Sequence, residues 1–244
     1  MTVDLEGEKS FCVMERRSNE TRPDTDQSVL KDLVDGFVHE VKNTLTSIRV
    51  AVKILGGKMA PTDPNREIVQ QVYDQLGKIN KTLSEMIEFT HISTPKASLT
   101  DINKVVEQSL RRIRSECQRH EVEVEKHLGE SLPEIELDAR QIELAFLHLF
   151  LDMLNAMPDG GRLAVRSVLD PSGYILLEIE DTGISIPETH MERLFKPFLS
   201  TMGRGAGTRL SIAKRILEQN GGFIQARNRG EGGLTFRIVF PFFI

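Results

Sequence analysis

Apolar residues recur at steps of three and four along two neighbouring stretches of the chain. This spacing places them on one side of a helix, so it predicts two amphipathic helices joined by a turn at Gly56, Gly57 and residues 60–64. Two helices of this length cannot bury both apolar stripes alone, which predicts a homodimer through a four-helix bundle. The stripe positions are Leu30, Val34, Phe37, Val41, Leu45, Ile48, Val52, Leu55, Ile68, Val72, Leu76, Ile79, Leu83, Met86 and Phe89.

The pattern divides the chain into four parts. Residues 1–27 are polar and predict a flexible N-terminal arm, residues 28–92 form the helical hairpin, and the polar, proline-containing residues 93–98 form a linker. Residues 99–244 mix helix and strand patterns and predict an α/β sandwich with an antiparallel-rich sheet, giving an α+β protein overall. The expected helices span 103–119, 138–157 and 209–219, and the expected strands 121–126, 162–169, 174–180, 222–228 and 233–240.

Composition excludes several classes of protein. The 31 Lys and Arg residues against 36 Asp and Glu residues leave a formal charge of -5, which argues against nucleic acid as the main partner. Cys12 and Cys117 form no metal-binding or disulfide pattern, so a reducing compartment is expected. No run approaches the roughly 18 apolar residues of a membrane span, and the first ten residues do not resemble a signal peptide. These features predict a cytoplasmic protein.

One histidine on the first helix carries candidate chemistry. His39 lies off the apolar stripe, so its side chain is predicted to face solvent. An imidazole needs one unprotonated nitrogen to attack phosphorus, and the neighbouring Glu40 carboxylate can hold the other N–H group. Asn43, one turn further on, can orient a water or a phosphate oxygen. The alternative, and the commoner meaning of a single helical histidine, is a solvated polar face on a dimeric helix.

Residues 37–48, Phe-Val-His-Glu-Val-Lys-Asn-Thr-Leu-Thr-Ser-Ile, resemble the H-box of two-component sensor histidine kinases. The resemblance implies that His39 is phosphorylated and that Glu40 and Asn43 assist as catalytic residues. The segment departs from the family at Thr44, where a proline is usual. A proline bends a helix, so its absence predicts a straighter helix after the histidine.

Residues 99–244 resemble the ATP-binding domain of the same family, a Bergerat-type fold shared with gyrase. Three segments resemble the first glycine box, the F-box and the second glycine box, and the helix 148–157 aligns with the N-box, which normally gives an Asn to magnesium. They are Asp181-Thr182-Gly183, Leu194-Phe195-Lys196-Pro197-Phe198 and residues 205–214. The resemblance implies ATP and Mg2+ as cofactors, with Asp181 accepting the adenine amino group and Asp152 binding the metal. The implied cofactor-binding residues are His148, Asp152, Asp181, Gly183, Gly205 and Gly207.

The departures from the family pattern fall at the phosphate end of this site. Asp152 replaces the magnesium-binding Asn, and Met202 replaces a Lys. Ser185 replaces a glycine, which costs roughly 1 kcal/mol if that position requires a positive φ. Thr208 and Arg209 replace a Leu and a Gly, and the arginine either blocks the phosphates or adds a positive charge to them. A carboxylate is a good magnesium ligand, but it repels a triphosphate unless the metal is seated.

Three functions are compatible with these residues. The first is a cytoplasmic histidine kinase that uses ATP to phosphorylate His39 and passes the group to an Asp of a response-regulator receiver domain, with Asn43 supporting the reverse dephosphorylation. The second is a histidine phosphotransfer or phosphatase protein that does not use ATP. The third is a non-catalytic dimeric adaptor. The short segment ahead of Leu30 predicts that the signal arrives through the arm or a separate sensor protein.

Overall fold

Two long helices form a hairpin at the start of the described chain. The structure is a computed structural model, and it describes residues 24–90, 92–197 and 208–242. Helix α1 spans Asp24–Lys58 and α2 spans Arg66–Thr90. Leu45 and Leu76 of the predicted stripe are buried, as is Val38, which the stripe does not include. Other stripe positions, among them Ile48 and Ile68, remain exposed in the single chain. Residues 1–23 of the predicted arm lie outside the described residues.

Five helices and seven strands follow the hairpin among the described residues. In chain order they are β1 Ser98–Thr100, α3 Ile102–Arg112, α4 Arg114–Arg119, β2 Val122–Leu128, β3 Ile135–Leu137, α5 Ala139–Ala156, β4 Gly161–Asp170, β5 Tyr174–Asp181, α6 Glu188–Met191, α7 Arg209–Gln219, β6 Phe223–Asn228 and β7 Leu234–Pro241. Among the described helices, none combines the length and the apolar content that a membrane span requires.

The described strands form one large sheet and one small one. The large sheet has the order β2-β4-β5-β7-β6, and β1 pairs separately with β3. Within the large sheet β2 runs parallel to β4, and the other neighbouring pairs are antiparallel, which confirms the predicted antiparallel-rich sheet. Burial alternates strictly along β5, so one face of the sheet is covered and the other meets solvent.

The core lies between the covered face of this sheet and helices α3, α5 and α7. Helix α5 contributes an apolar stripe whose members are all at most 2% exposed, and each such side chain stabilises the fold by roughly 1.5–3 kcal/mol. The rings of two of its members stack with centroids 6.0 Å apart. The stripe is Phe146, Leu149, Phe150, Met153 and Leu154. The α+β architecture of a hairpin followed by an α/β sandwich is therefore confirmed.

The segment between hairpin and sandwich is tied to the sandwich by side chains. Gln141 Nε2 donates to the Ser93 carbonyl oxygen at 2.8 Å, and the Lys96 amide donates to Asp138 Oδ2 at 2.9 Å. Asn220, which ends α7, donates to Gln141 Oε1 at 3.0 Å and accepts from the Asp138 amide at 2.8 Å. The connection from the hairpin is thus linked to both α5 and α7.

The predicted single helix over 103–119 is wrong in one respect, because it is divided into α3 and α4 at Ile113. Ile113 leaves helical geometry with φ -90 and ψ 3, and its side chain is 2% exposed in the core. The burial of Ile113 itself follows the helical spacing of the apolar residues around it, so the apolar pattern does not show where the helix is divided. The strands β1 and β3 and helix α6 were not predicted, since elements of three or four residues are too short to show a period.

Candidate functional site

Asp181 ends strand β5 and lies at the centre of the candidate nucleotide site. Its side chain is 1% exposed, and its Oδ1 accepts the Gly183 amide at 2.7 Å. Within the described residues its Oδ2 is buried and has no hydrogen-bond partner. Buried carboxylate oxygens are normally paired, so this atom is suited to accept an N–H group from a ligand.

The surroundings of Asp181 disfavour the charged form of its carboxyl group. Burial raises the pKa of its carboxyl to about 6, and the negative charge of Asp152 adds to the rise. The backbone amides of Gly183 and Leu234 and the guanidinium of Arg229 oppose it. The influence of Asp152 on Asp181 also places the two carboxylates, one predicted for the metal and one for adenine, in a common electrostatic environment.

Gly183 brings the loop after β5 into close contact with the end of α5. A Cβ at this position would lie 2.6 Å from the Ala156 carbonyl oxygen, so a larger residue requires the loop to move. Ser185, which replaces a family glycine, has no positive φ, since Glu121 is the only described non-glycine residue in that region. The predicted backbone cost of Ser185 is therefore absent.

Helix α5 supplies the predicted metal end of the site. His148 is buried, and Asp152 follows it by one turn and is half-buried, so the two share one face of the helix. No group of three or more potential metal-ligating side chains occurs among the described residues. Magnesium is commonly bound by one or two carboxylates together with substrate phosphates, and Asp152 fits that kind of site.

The F-box packs onto the core beside the site. The Phe195 ring meets Phe236 edge to face with centroids 6.3 Å apart, and Lys214 Nζ lies 5.5 Å from the Phe195 centroid. Thr208 is buried where α7 begins, and Arg209 is half-buried. Phe198 of the F-box, the departing Met202 and the predicted Gly205 and Gly207 lie outside the described residues.

The phosphoacceptor candidates lie on the exposed side of α1. His39, Glu40 and Asn43 are all exposed, and Asn43 follows His39 by one helical turn. The helix continues without interruption through Thr44, whose hydroxyl donates to the Glu40 carbonyl oxygen at 3.1 Å. The uninterrupted helix agrees with the expectation from the missing proline.

Sequence reasoning missed the residues that hold Asp181 in place. Arg229 Nη1 donates to the Asp181 carbonyl oxygen at 2.9 Å, and Asn228 bonds to the backbone of Ile186. Gly233, with φ +87, lies so close to the Asp181 carbonyl that a Cβ would overlap it. In the sequence these residues belong to a glycine-rich stretch between two strands, which indicates only a turn.

Comparison with known proteins supports the fold. Residues 137–244 match the family described as histidine kinase-, DNA gyrase B-, and HSP90-like ATPases. The sensor histidine kinase ZraS of Escherichia coli strain K12 is 24% identical over 212 residues, which cover 87% of this chain and 45% of ZraS. The signal transduction kinase AtoS of the same organism is 26% identical over 88% of this chain and 35% of AtoS. The chain thus spans less than half the length of these relatives.

Two solved structures share the fold. Full-length ShkA in complex with AMPPNP superposes with a TM-score of 0.66 at 18% identity, over 86% of this chain and 46% of ShkA. The histidine kinase ThkA in complex with the response regulator TrrA superposes with a TM-score of 0.65 at 19% identity, over 100% of this chain and 68% of ThkA.

The hairpin and the domain that follows it together define a class. Residues 137–244 match the model of histidine kinase-, DNA gyrase B-, and HSP90-like ATPases, and the helical hairpin of α1 and α2 precedes them in the chain. The two parts of the chain therefore resemble the core of a sensor histidine kinase.

Proposed function

We propose that the chain is the core of a two-component histidine kinase, which phosphorylates His39 from ATP and passes the phosphoryl group to a response-regulator aspartate. The buried Oδ2 of Asp181, which has no partner among the described residues, carries this proposal, because a buried carboxylate oxygen is normally paired and an adenine amino group would pair it. Relatives named as histidine kinases over most of this chain support it, as does the ThkA complex with its regulator.

The proposed chemistry assigns one task to each site residue. Bound ATP with magnesium supplies the γ-phosphoryl group. Asp181 Oδ2 accepts the adenine amino group, Asp152 is a ligand for the metal, and Gly183 keeps the loop close to α5. Gly205 and Gly207 are proposed to admit backbone N–H groups to the phosphates, with His148 supporting the α5 face next to Asp152.

On the hairpin, the exposed His39 attacks through one unprotonated ring nitrogen. The Glu40 carboxylate holds the N–H of the other nitrogen and takes that proton as the N–P bond forms and the bond to the leaving ADP breaks. Asn43, on the same face, orients the receiver or a water, which also permits dephosphorylation of the regulator. The P–N bond is reactive enough to hand the group on to a carboxylate.

A direct test uses the purified chain with ATP and Mg2+. Calorimetry measures binding, and a γ-phosphate radiolabel measures transfer to the protein. We expect binding and stable label on the wild type. Absence of both, in a protein that circular dichroism shows to be folded, would contradict the kinase function and leave the phosphotransfer and adaptor functions. A phosphorylated receiver domain then separates these two, since only a phosphotransfer protein exchanges label with it.

The hairpin is proposed to dimerise through its exposed apolar side chains. Along α2, Ile68, Val72 and Ile79 remain 58%, 42% and 45% exposed, and they line one surface groove. A continuous exposed apolar stripe of this kind marks an interface, and a second hairpin of the same sequence covers it as a four-helix bundle.

Replacing Val72 by Asp is expected to dissociate this dimer. In a symmetric dimer the substitution occurs in both protomers, so it buries two carboxylates in the interface. We therefore expect the dimer dissociation constant to rise roughly a hundred-fold or more. Ser84→Asp, with the same charge at an exposed polar position of α2, is the matched control and should stay dimeric. Light scattering coupled to size-exclusion chromatography measures the mass. A dimeric Val72→Asp variant would place the interface elsewhere.

A further inference from the structure

Two neighbouring residues at the end of strand β6, Asn228 and Arg229, hold the loop that follows Asp181. We call this pair the β6 clamp. Asn228 contacts the far end of the loop at both backbone groups of Ile186: its Oδ1 accepts the Ile186 amide at 2.9 Å, and its Nδ2 donates to the Ile186 carbonyl at 2.7 Å. Its Nδ2 also donates to Glu188 Oε1 at 3.0 Å, where α6 begins.

Arg229 holds the near end of the same loop. Its Nη1 donates to the Asp181 carbonyl oxygen at 2.9 Å and lies 3.4 Å from the Gly232 carbonyl oxygen. Its Nε lies 3.7 Å from Glu180 Oε2, and the Arg229 side chain is only 16% exposed. A partly buried guanidinium that meets two acceptors in different directions fixes the backbone more firmly than a single contact does.

The hydrogen bonds to Asp181 leave its Oδ2 atom available for a ligand. The Asp181 carbonyl is bound by Arg229 and Oδ1 is bound by the Gly183 amide, whereas Oδ2 has no partner among the described residues. The orientation of Oδ2 is therefore set by bonds to the other oxygens of the same residue. A hydrogen bond to a base loses most of its value when its acceptor is misplaced by about 1 Å.

We propose that the β6 clamp positions Asp181 for adenine, so that Asn228 and Arg229 are positioning residues that determine base selectivity without touching the base. This inference rests on the proposed nucleotide binding. It goes further by assigning the selectivity for a 6-amino purine to Asn228, the last residue of β6, and to Arg229, which follows it, and not to Asp181 alone.

The test compares two diphosphates that differ at one group of the base. ADP carries the 6-amino donor and IDP carries an acceptor oxygen in its place, so a hydrogen bond from the 6-position to Asp181 Oδ2 can be lost only with ADP. For Arg229→Met we expect ADP binding to weaken roughly ten-fold while IDP binding changes by less than about two-fold. Arg229→Lys keeps a donor for the Asp181 carbonyl and should recover more than half of the lost selectivity on a logarithmic scale. Calorimetry with Mg2+ measures both affinities.

Arg227→Met is the matched control, because Arg227 lies on the same strand with an exposed side chain. It removes the same charge and should leave the ratio of the two affinities unchanged. An equal loss of ADP and IDP binding in Arg229→Met, or the same change in Arg227→Met, would overturn the assignment.

Amide hydrogen exchange in the ligand-free protein separates this inference from the proposed function. We expect Asn228→Ala and Arg229→Met to speed exchange at the Ile186 and Gly183 amides by about ten-fold or more, with no such change in Arg227→Met. Unchanged exchange would show that the loop is not held by the clamp. If the wild type binds neither diphosphate while the two variants show these exchange changes, the proposed nucleotide binding is rejected and the role of the clamp in holding the loop is kept.

Discussion

Replacing Asp181 by Asn is expected to weaken adenine-nucleotide binding by roughly a hundred-fold and, at the same time, to make the ligand-free protein more stable at neutral pH. The asparagine keeps an oxygen for the Gly183 amide, which now binds Oδ1 at 2.7 Å. In place of the unpartnered Oδ2 it presents an N–H group, which faces the donor of the adenine amino group. Loss of a hydrogen bond to a charged acceptor, together with two opposed donors, accounts for the size of the effect.

The gain in stability follows from the direction of the pKa change. Burial raises the pKa of Asp181 from 3.8 to about 6 in the folded protein, so the folded state binds a proton more tightly than the unfolded state. This contribution favours folding below pH 3.8 and is lost as pH rises through about 6. At pH 7.5 the ionised side chain therefore destabilises the fold, by up to about 3 kcal/mol for a rise of this size. Asparagine carries no charge and avoids that penalty.

Urea unfolding between pH 4.5 and 8 measures this prediction. The difference in the free energy of unfolding between Asp181→Asn and wild type should grow as pH rises to about 6 and then level off. Asp159→Asn, at an exposed position beyond α5, is the matched control and should show no such window. If Asp181→Asn is less stable than wild type at pH 7.5 and its stability has the same pH profile, Asp181 does not carry a destabilising buried charge. That result would also contradict its proposed role as the acceptor for adenine.

The fold was largely predictable because its main elements are long and amphipathic. The stripe on α5 and the alternation along β5 follow directly from which residues are apolar, and the predicted helix over 209–219 agrees with α7. The break at Ile113 was not predictable, because the apolar spacing continues through it from Leu110 to Cys117 and only the backbone angles of Ile113 reveal it. Strands β1 and β3 exist through their pairing with each other, and no local pattern of three residues reveals such a pairing.

The candidate site also contains residues that the sequence could predict and residues that it could not. Asp181 and Gly183 were found from a short motif after a strand, and their burial and close contact agree with the tasks assigned to them. Arg229 could not be found, since it lies 48 positions further along the chain and reaches Asp181 only through the pairing of β5, β7 and β6. A motif reports residues that are neighbours in sequence, whereas the residues that position them are neighbours only in space.

Replacing His39 by Gln is expected to abolish transfer of the γ-phosphoryl group to the protein, a loss limited only by the detection of the label. His39 is exposed on α1, away from the buried Val38, so its removal leaves the packing of the hairpin intact. Glutamine is close in size and polar but has no nucleophilic ring nitrogen. Nucleotide affinity and dimer mass should therefore equal those of the wild type, which separates loss of chemistry from loss of fold.

His127→Gln is the matched control for the chemistry. His127 is also an exposed histidine with a carboxylate nearby, since its Nε2 lies 4.0 Å from Glu125 Oε2, yet it lies on strand β2 and not on the hairpin. It should keep full label, because a histidine beside a glutamate is insufficient without presentation on the α1 face.

Asn43→Ala should keep the label on His39 but slow dephosphorylation of a receiver domain. Label that persists in His39→Gln would mean another acceptor, and unchanged regulator phosphorylation in cells carrying His39→Gln would favour the adaptor function over both phosphoryl-transfer functions.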